Sequence, residues 1–319
     1  MKILITGING FVGSHLAEYY LAEGEEIFGT YRTHHTGTEL KNIEQIKNKI
    51  KLFDCDLRDR NSVFRVINEV KPDVIHHLAA QSFVKASWDN PEHTLFNNIS
   101  AELNIFDVCR VLGIDPVIHV AGSSEEYGLV YENELPIKET NPLRPLSPYA
   151  VSKITQDMLG QQYYYSYSQK IVITRGFNHE GPRRGRQFVT SAFASQIAEA
   201  EKGLCEPILK HGNLDACRDF TDITDMVKAY ALAVKHCKYG EPYNICQGKT
   251  YKIKEVLDYL VSRAKVKITA EPDPSKIRPS DVMVLLGDHT KFFEATGWQP
   301  KVSFEEMLDK ILNYWRENI

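Results

Sequence analysis

The chain has 319 residues, with 38 Lys and Arg against 42 Asp and Glu, a formal net charge of −4 and 43% hydrophobic residues. That composition is core-forming and suits one large α/β domain with an appended lobe, or two domains. The acid excess argues against a protein organised around nucleic-acid phosphates. The longest apolar runs, such as "ILITG" and "VIHHLAA", are too short for a membrane span.

In chain order, residues 2–6 (KILIT) read as a short buried strand, followed by a glycine turn and a helix to about Glu23. "EIFGTYR" and "IKLFDCDL" are the next two strands, "SVFRVINEV" a helix and "PDVIHHLAA" a strand. The helix "ELNIFDVCRVLG" precedes the strand "PVIHVAGSS", and "KIVITRGFN" (170–178) reads as one more. Alternating strands and helices imply parallel pairing through right-handed crossovers, a doubly wound α/β sheet of the Rossmann type. Beyond about Pro182 the rhythm changes. Basic, glycine-rich "GPRRGRQFVT" opens a stretch of short helices and turns, with strand candidates at "EPYNIC" and "VKITAEP". The chain ends on an amphipathic helix, "SFEEMLDKILNYWREN". The expected organisation is a Rossmann domain over residues 1–181 and a smaller α/β lobe over 182–319, some of which returns to the main sheet.

"MKILITG" runs directly into strand-like sequence without a signal-peptide pattern, so a cytoplasmic location is expected. The six cysteines lie far apart with no CxxC, which leaves reduced thiols or a scattered disulfide set. Size and the missing leader favour reduced thiols. No ligand cluster suggests a metal.

"TGINGFVGSHL" sets Gly7, Gly10 and Gly13, with Asn9, Phe11 and Val12, between the first strand and the first helix. Glycines here allow a tight turn and close approach of the backbone to a pyrophosphate at the helix N-terminus. An acidic residue ending the second strand would bind a ribose hydroxyl. Here Arg32 stands there, with no carboxylate until Glu39, so NADP is expected over NAD; a solvated arginine is the plainer alternative. Asp56 and Leu57 in "CDLRD" are placed beside an adenine, with an acidic helix cap as the other reading of Asp56.

"SPYAVSK" puts Tyr149 four residues ahead of Lys153, after a proline suited to a helix start. A free tyrosine has a pKa of about 10. A nearby ammonium and a nicotinium ring would lower it and make Tyr149 a base. Ser123, at a strand end, would hydrogen-bond the reacting oxygen. Glu125 beside it suits a proton transfer at a carbon next to a ketone, although Glu125 or Glu126 can equally cap or form a salt bridge.

Glycine turn, Ser123, Tyr149 and Lys153 together resemble the extended short-chain dehydrogenase/reductase family over essentially the whole chain. "SSEEYG", "SPYAVSK", "FNHEGPRRG", "FVT", "GNLDACRDF", "RPSDV" and "LLGDHTK" resemble its GDP-mannose 4,6-dehydratase branch. That resemblance implies tightly bound NADP and an internal redox dehydration of GDP-mannose or a related GDP-sugar. Tyr149 would be the base at the sugar C4 hydroxyl, supported by Ser123 and Lys153. Glu125 would take the C5 proton and assist loss of the C6 hydroxyl. The cofactor would also lie along Leu78, Ala79, Ala80, Gln81, Asn178, His179 and Arg184. The sugar nucleotide would meet Ser82, Ser124, Asn178, Val189, Arg218, Arg278 and Asp281, the arginines at its phosphates.

Three departures qualify the resemblance. The branch pattern has threonine where Ser123 stands, which keeps the hydroxyl. "THHTGTEL" after Arg32 lacks the arginine- and serine-rich arm that reaches a neighbouring cofactor site, so a helix-packed homodimer is expected rather than a tetramer. "RDFTD" and "SSEEYG" also resemble GDP-4-keto-6-deoxymannose reductases. That reductase, or a nucleotide-sugar epimerase, is the alternative activity.

Overall fold

The computed structural model describes residues 1–33, 40–276 and 282–319. The first half alternates as the sequence predicts: β1 (Lys2–Thr6), α1 (Phe11–Ala22), β2 (Glu26–Tyr31), β3 (Lys51–Asp54), α2 (Arg60–Val70), β4 (Val74–His77), α3 (Val84–Asp89), α4 (Pro91–Leu112) and β5 (Val117–Ser123). Then follow α5 (Pro148–Tyr167), β6 (Ile171–Gly176), β7 (Asn178–Glu180), α6 (Val189–Glu201), β8 (Ile208–His211), β9 (Cys217–Asp222) and α7 (Ile223–His236). The chain closes with β10 (Pro242–Ile245), β11 (Thr250–Lys252), α8 (Ile253–Ser262), β12 (Thr269–Pro272), α9 (Thr290–Thr296) and α10 (Phe304–Asn318).

Seven parallel strands form the main sheet in the order β10-β6-β5-β4-β1-β2-β3. Its middle strands are apolar runs rather than alternations because helices cover both faces; every residue of β4 and β6 is buried. On one face Leu16, Ala17 and Tyr20 of α1 meet Met226 and Tyr230 of α7, with Phe292 of α9. On the other, Val63 and Val66 of α2 meet Ile105 and Phe106 of α4 and Tyr163 of α5. The chain leaves β1 toward β2 on one side and arrives at β4 on the other. That reversal opens a crevice at the carboxyl ends of the strands.

The expected strand at 170–178 is two: β6 ends at Gly176, and β7 pairs instead with β9 in a three-stranded sheet with β11. The "EPYNIC" stretch supplies β10, at the edge of the main sheet, because α7 packs beside α1 and returns the chain parallel to β6. α4 begins eleven residues before Glu102, capped by the Asn90 carboxamide accepting from His93 N, with Pro91 in its first turn. In the lobe, Phe193 and Ile197 of α6, Leu257 of α8 and Met307 and Ile311 of α10 share a core. The six cysteines are free thiols, and no helix among the described residues is long and apolar enough to cross a membrane.

Candidate active site

The crevice holds a cavity of about 800 Å³ between the sheet ends and the lobe. Its floor starts at the glycine turn. Gly7 has φ +66°, and Gly10 N donates to Gly7 O at 2.9 Å. A Cβ on Gly13 would lie 2.4 Å from Gly7 O and 2.8 Å from Ile8 Cα, so only glycine lets α1 sit this close to the turn. Gly10 caps α1 without a side chain, and the first turn has no acidic residue, which leaves its N–H groups and positive dipole end facing the cavity. Buried Oδ1 of Asn178 and Oε1 of Gln81 lack hydrogen-bond partners within the described residues, and both residues line the same space. Turn, helix end and unpartnered amide oxygens fit a dinucleotide.

At the far side of the turn, Arg32 lines the cavity just beyond β2. Asp56 pairs with Arg58 at 2.6 Å, and hydrogen bonds from Arg58 hold its carboxyl down to about 2, with Arg32 adding to the effect. The helix-cap role belongs to Asp59, whose side chain accepts from Asn61 N at 3.0 Å; Asp56 lines the cavity with Leu57.

The other end carries the acid–base groups. The Ser147 hydroxyl accepts from Ala150 N at 3.1 Å and starts α5 at Pro148, which sets Tyr149 and Lys153 one turn apart inside the cavity. Lys153 Nζ lies 6.0 Å from the Tyr149 ring centroid and donates to Ala121 O at 2.8 Å. The Tyr149 phenol and Ser123 line the same end of the cavity. Burial pushes the Tyr149 pKa well above the ordinary tyrosine value, and the neighbouring Ser123 hydroxyl acts the other way. In the protein alone, desolvation is the largest of these effects.

The two glutamates separate cleanly. Glu126 is fully buried, accepts from Ser123 N at 2.7 Å and lies 3.3 Å from the Arg175 guanidinium. Glu125 lines the cavity, beside Ser123 and Tyr149, and its charge is felt at the phenol.

The family model for GDP-mannose 4,6 dehydratase matches residues 4–311. The chain belongs to the GDP-mannose 4,6-dehydratase family. It is 31% identical to the GDP-6-deoxy-D-mannose reductase of Pseudomonas aeruginosa, over 100% of this chain and 98% of that one. It is 32% identical to a GDP-mannose 4,6-dehydratase of Vibrio cholerae, over 96% and 91%. The solved structure of RMD from Pseudomonas aeruginosa complexed with NADPH superposes with a TM-score of 0.86 at 30% identity, covering 100% and 99% of the chains. The UDP-glucose 4-epimerase of Thermus thermophilus, complexed with NAD, gives 0.87 at 30% identity and full coverage of both chains. Extended short-chain dehydrogenase/reductase relatives thus share this fold throughout.

The remaining residues expected for a family site come to the same cavity: Leu78, Ala79, Ala80 and Ser82 after β4, Ser124 after β5, and His179, Arg184, Val189 and Arg218 from the lobe side. His179 Nδ1 donates to Phe177 O at 2.9 Å and burial lowers its pKa to about 4, so its ring is neutral with Nε2 as an acceptor. The Arg184 guanidinium lies 3.6 Å from the Phe188 ring centroid and 5.0 Å from that of Phe11. Arg218 donates to Val282 O at 2.6 Å and ties β9 to the segment beyond residue 281. Arg278 and Asp281 lie outside the described residues. Sequence reasoning missed Phe188, Lys210, Lys276 and Tyr230, which also line the cavity. Phe188 stood inside the quoted "GRQFVT" stretch; the others gave no local signal.

Proposed function

We propose that the protein is a GDP-mannose 4,6-dehydratase using NADP, which converts GDP-mannose to GDP-4-keto-6-deoxymannose with loss of water. The observation that carries this reading is Glu125, a carboxylate on the cavity wall next to the Ser123–Tyr149 pair. Oxidation of an alcohol needs one base; elimination across the neighbouring carbons needs a second group that takes a proton and gives it back. Tyr149 accepts the C4 hydroxyl proton while Ser123 holds that oxygen and the Lys153 charge favours the phenolate. Glu125 removes the C5 proton, made acidic by the C4 carbonyl, and delivers it to the departing C6 hydroxyl. A nicotinamide held here would keep the hydride from C4 until it returns to C6, and C5 then takes back a proton, the one Tyr149 holds, so that water alone is lost. Gly7, Gly10 and Gly13 take the pyrophosphate, and Arg32 favours a 2′-phosphate over a bare ribose. Arg218 and Arg278 are assigned to the GDP phosphates, Val189 and Asp281 to the guanosine. The same reading takes the protein as a cytoplasmic homodimer.

A second reading, the 4-keto reductase, is favoured by length: the chain covers 98% of the Pseudomonas reductase but 91% of the Vibrio dehydratase. The two separate in one assay. Purified protein with a trace of NADP is given GDP-mannose, and the product is followed by mass. Loss of water without net NADP consumption is expected, and Glu125→Gln should cut it at least 100-fold while C4 oxidation stays detectable. No dehydration, together with NADPH-dependent reduction of the 4-keto-6-deoxy sugar, overturns the proposal in favour of the reductase.

A further inference from the structure

The two consecutive arginines after β7 go to different partners. Arg184 lines the cavity, whereas Arg183 reaches α1. Its Nη1 donates to Glu18 Oε1 at 2.9 Å and its Nη2 to Glu18 Oε2 at 2.5 Å, a two-pronged ion pair. Nη2 also meets His15 Nδ1 at 2.9 Å, and His15 Nε2 meets Pro182 O at the same distance. A guanidinium only donates, so His15 accepts through Nδ1 and donates from Nε2 to the Pro182 carbonyl. Burial and the Arg183 charge lower the His15 pKa to about 4, which keeps the ring in that neutral form. The backbone of Arg183 has φ +71°, in the left-handed region that a residue with a Cβ disfavours. The side-chain bonds hold the turn in place against that cost.

From the same guanidinium a second path runs to the glycine turn. Arg183 Nη1 donates to Asn42 O at 2.8 Å, and Asn42 Nδ2 donates to Asn9 O at 3.0 Å. Asn42 is itself anchored, because the next residue, Ile43, is fully buried in the core shared with Leu16 and Ala17 of α1. Asn9 O and Gly10 N belong to one peptide plane, and Gly10 N donates to Gly7 O at 2.9 Å. Both ends of that plane are therefore held. It leads into Gly10, the N-cap of α1, whose first N–H groups have no partner inside the helix. Neither Arg183 nor Asn42 lines the cavity, so any effect they have on a ligand there passes through the backbone they hold.

We infer that Arg183 and Asn42 are positioning residues for the dinucleotide: they strap the loop after β7 to the glycine turn and fix the Asn9–Gly10 peptide, which aims the α1 N-terminus at the pyrophosphate. The inference rests on the cavity taking a nicotinamide dinucleotide, as in the proposed function, but not on which reaction follows. The strap runs in series, from Arg183 through the Asn42 backbone and side chain to the turn.

Binding measurements on the intact protein decide the matter: fluorescence titration with NADPH and with NADH, and calorimetric titration with GDP. Asn42→Ala keeps the backbone oxygen that Arg183 uses and removes only the bond to Asn9 O. It should weaken the tighter-binding cofactor about fivefold, the worth of one neutral hydrogen bond, with GDP affinity within about twofold of wild type. Arg183→Asn, whose side chain tolerates the left-handed backbone, should weaken the cofactor about tenfold. Because the links act in series, Asn42→Ala should cost less in the Arg183→Asn background than alone. A purely structural strap would lower the melting temperature and leave cofactor affinity unchanged, or weaken cofactor and GDP alike. Either result overturns the inference, as do fully additive losses. A wild-type protein that binds neither cofactor overturns it together with the reading it rests on. Cofactor affinities that fall as expected, without dehydration of GDP-mannose, support the strap and sink only the proposed reaction.

Discussion

At the residue scale, the adjacent glutamates show how one peptide bond divides structure from chemistry. Glu126 is drawn inward by Ser123 N and by Arg175, which also pairs with Asp157 at 2.8 Å. Burial and the neighbouring Asp157 push its pKa up to about 8, against the pull of Arg175. Near neutrality it is thus an acid that hydrogen-bonds Asp157. The sign of the linkage follows. A folded pKa above the unfolded one, 4.5 for this group, gives stability that is fully present below 4.5 and is lost as pH rises toward 8. Glu126→Gln imitates the protonated form, accepting from Ser123 N and donating to Asp157. It should melt close to wild type in mild acid and then become relatively more stable. The difference should grow by about 1.4 kcal/mol per pH unit and flatten above pH 8. Denaturant titrations of both proteins across this range measure it; parallel curves would mean that Glu126 is ionised throughout.

Among the elements, the β1–α1 turn is where sequence and structure agree most closely, because its requirement is local. A Cβ at Gly13 meets backbone atoms, which cannot swing away, whereas one at Gly10 lies 3.1 Å from Gly7 O. Gly13→Ala should therefore cost about 1–3 kcal/mol, the usual range for overpacking, and weaken NADPH binding, with Gly10→Ala milder in both. Urea unfolding and fluorescence titration with NADPH check the pair, and equal effects would contradict the geometry. The same locality made Ser123, Tyr149 and Lys153 readable, since a strand end and one helical turn bring them together. What stayed hidden depends on partners distant in sequence. β10 looks like any short strand until α7 fixes which sheet receives it. Tyr230 sits in an apolar helix and lines the cavity, where Gly176, 54 positions earlier, leaves room for its hydroxyl. The desolvation of Tyr149 was not legible for a related reason: charge spacing is visible in a sequence, but burial depends on the whole surrounding packing.

For the whole molecule, one feature of the surface is unaccounted for by the monomer. α4 and α5 pack side by side, joined by the Asn98 carboxamide bonded to Ser152 Oγ at 2.9 Å and by Gln156 donating to Glu102 at 2.8 Å. Their outer faces carry apolar residues at seven-residue spacing: Phe96 and Leu103 on α4, and Val151, Met158 and Tyr165 on α5. All five are exposed, Phe96 at 57% and Tyr165 at 73%. Spacing of seven keeps side chains on one side of a helix, so each helix presents a stripe and the pair presents a surface. A contiguous apolar surface of this kind marks an interaction site. A second copy related by a two-fold axis would bury it as a four-helix bundle, placing both cavities away from the contact. Sedimentation velocity should accordingly show a dimer, and Phe96→Glu combined with Met158→Glu should shift it to monomer without changing the circular dichroism. Both positions point outward, so the core under α4 and α5 is untouched by the change. A double variant that remains dimeric would move the interface elsewhere, and a wild-type monomer would leave these stripes without a function.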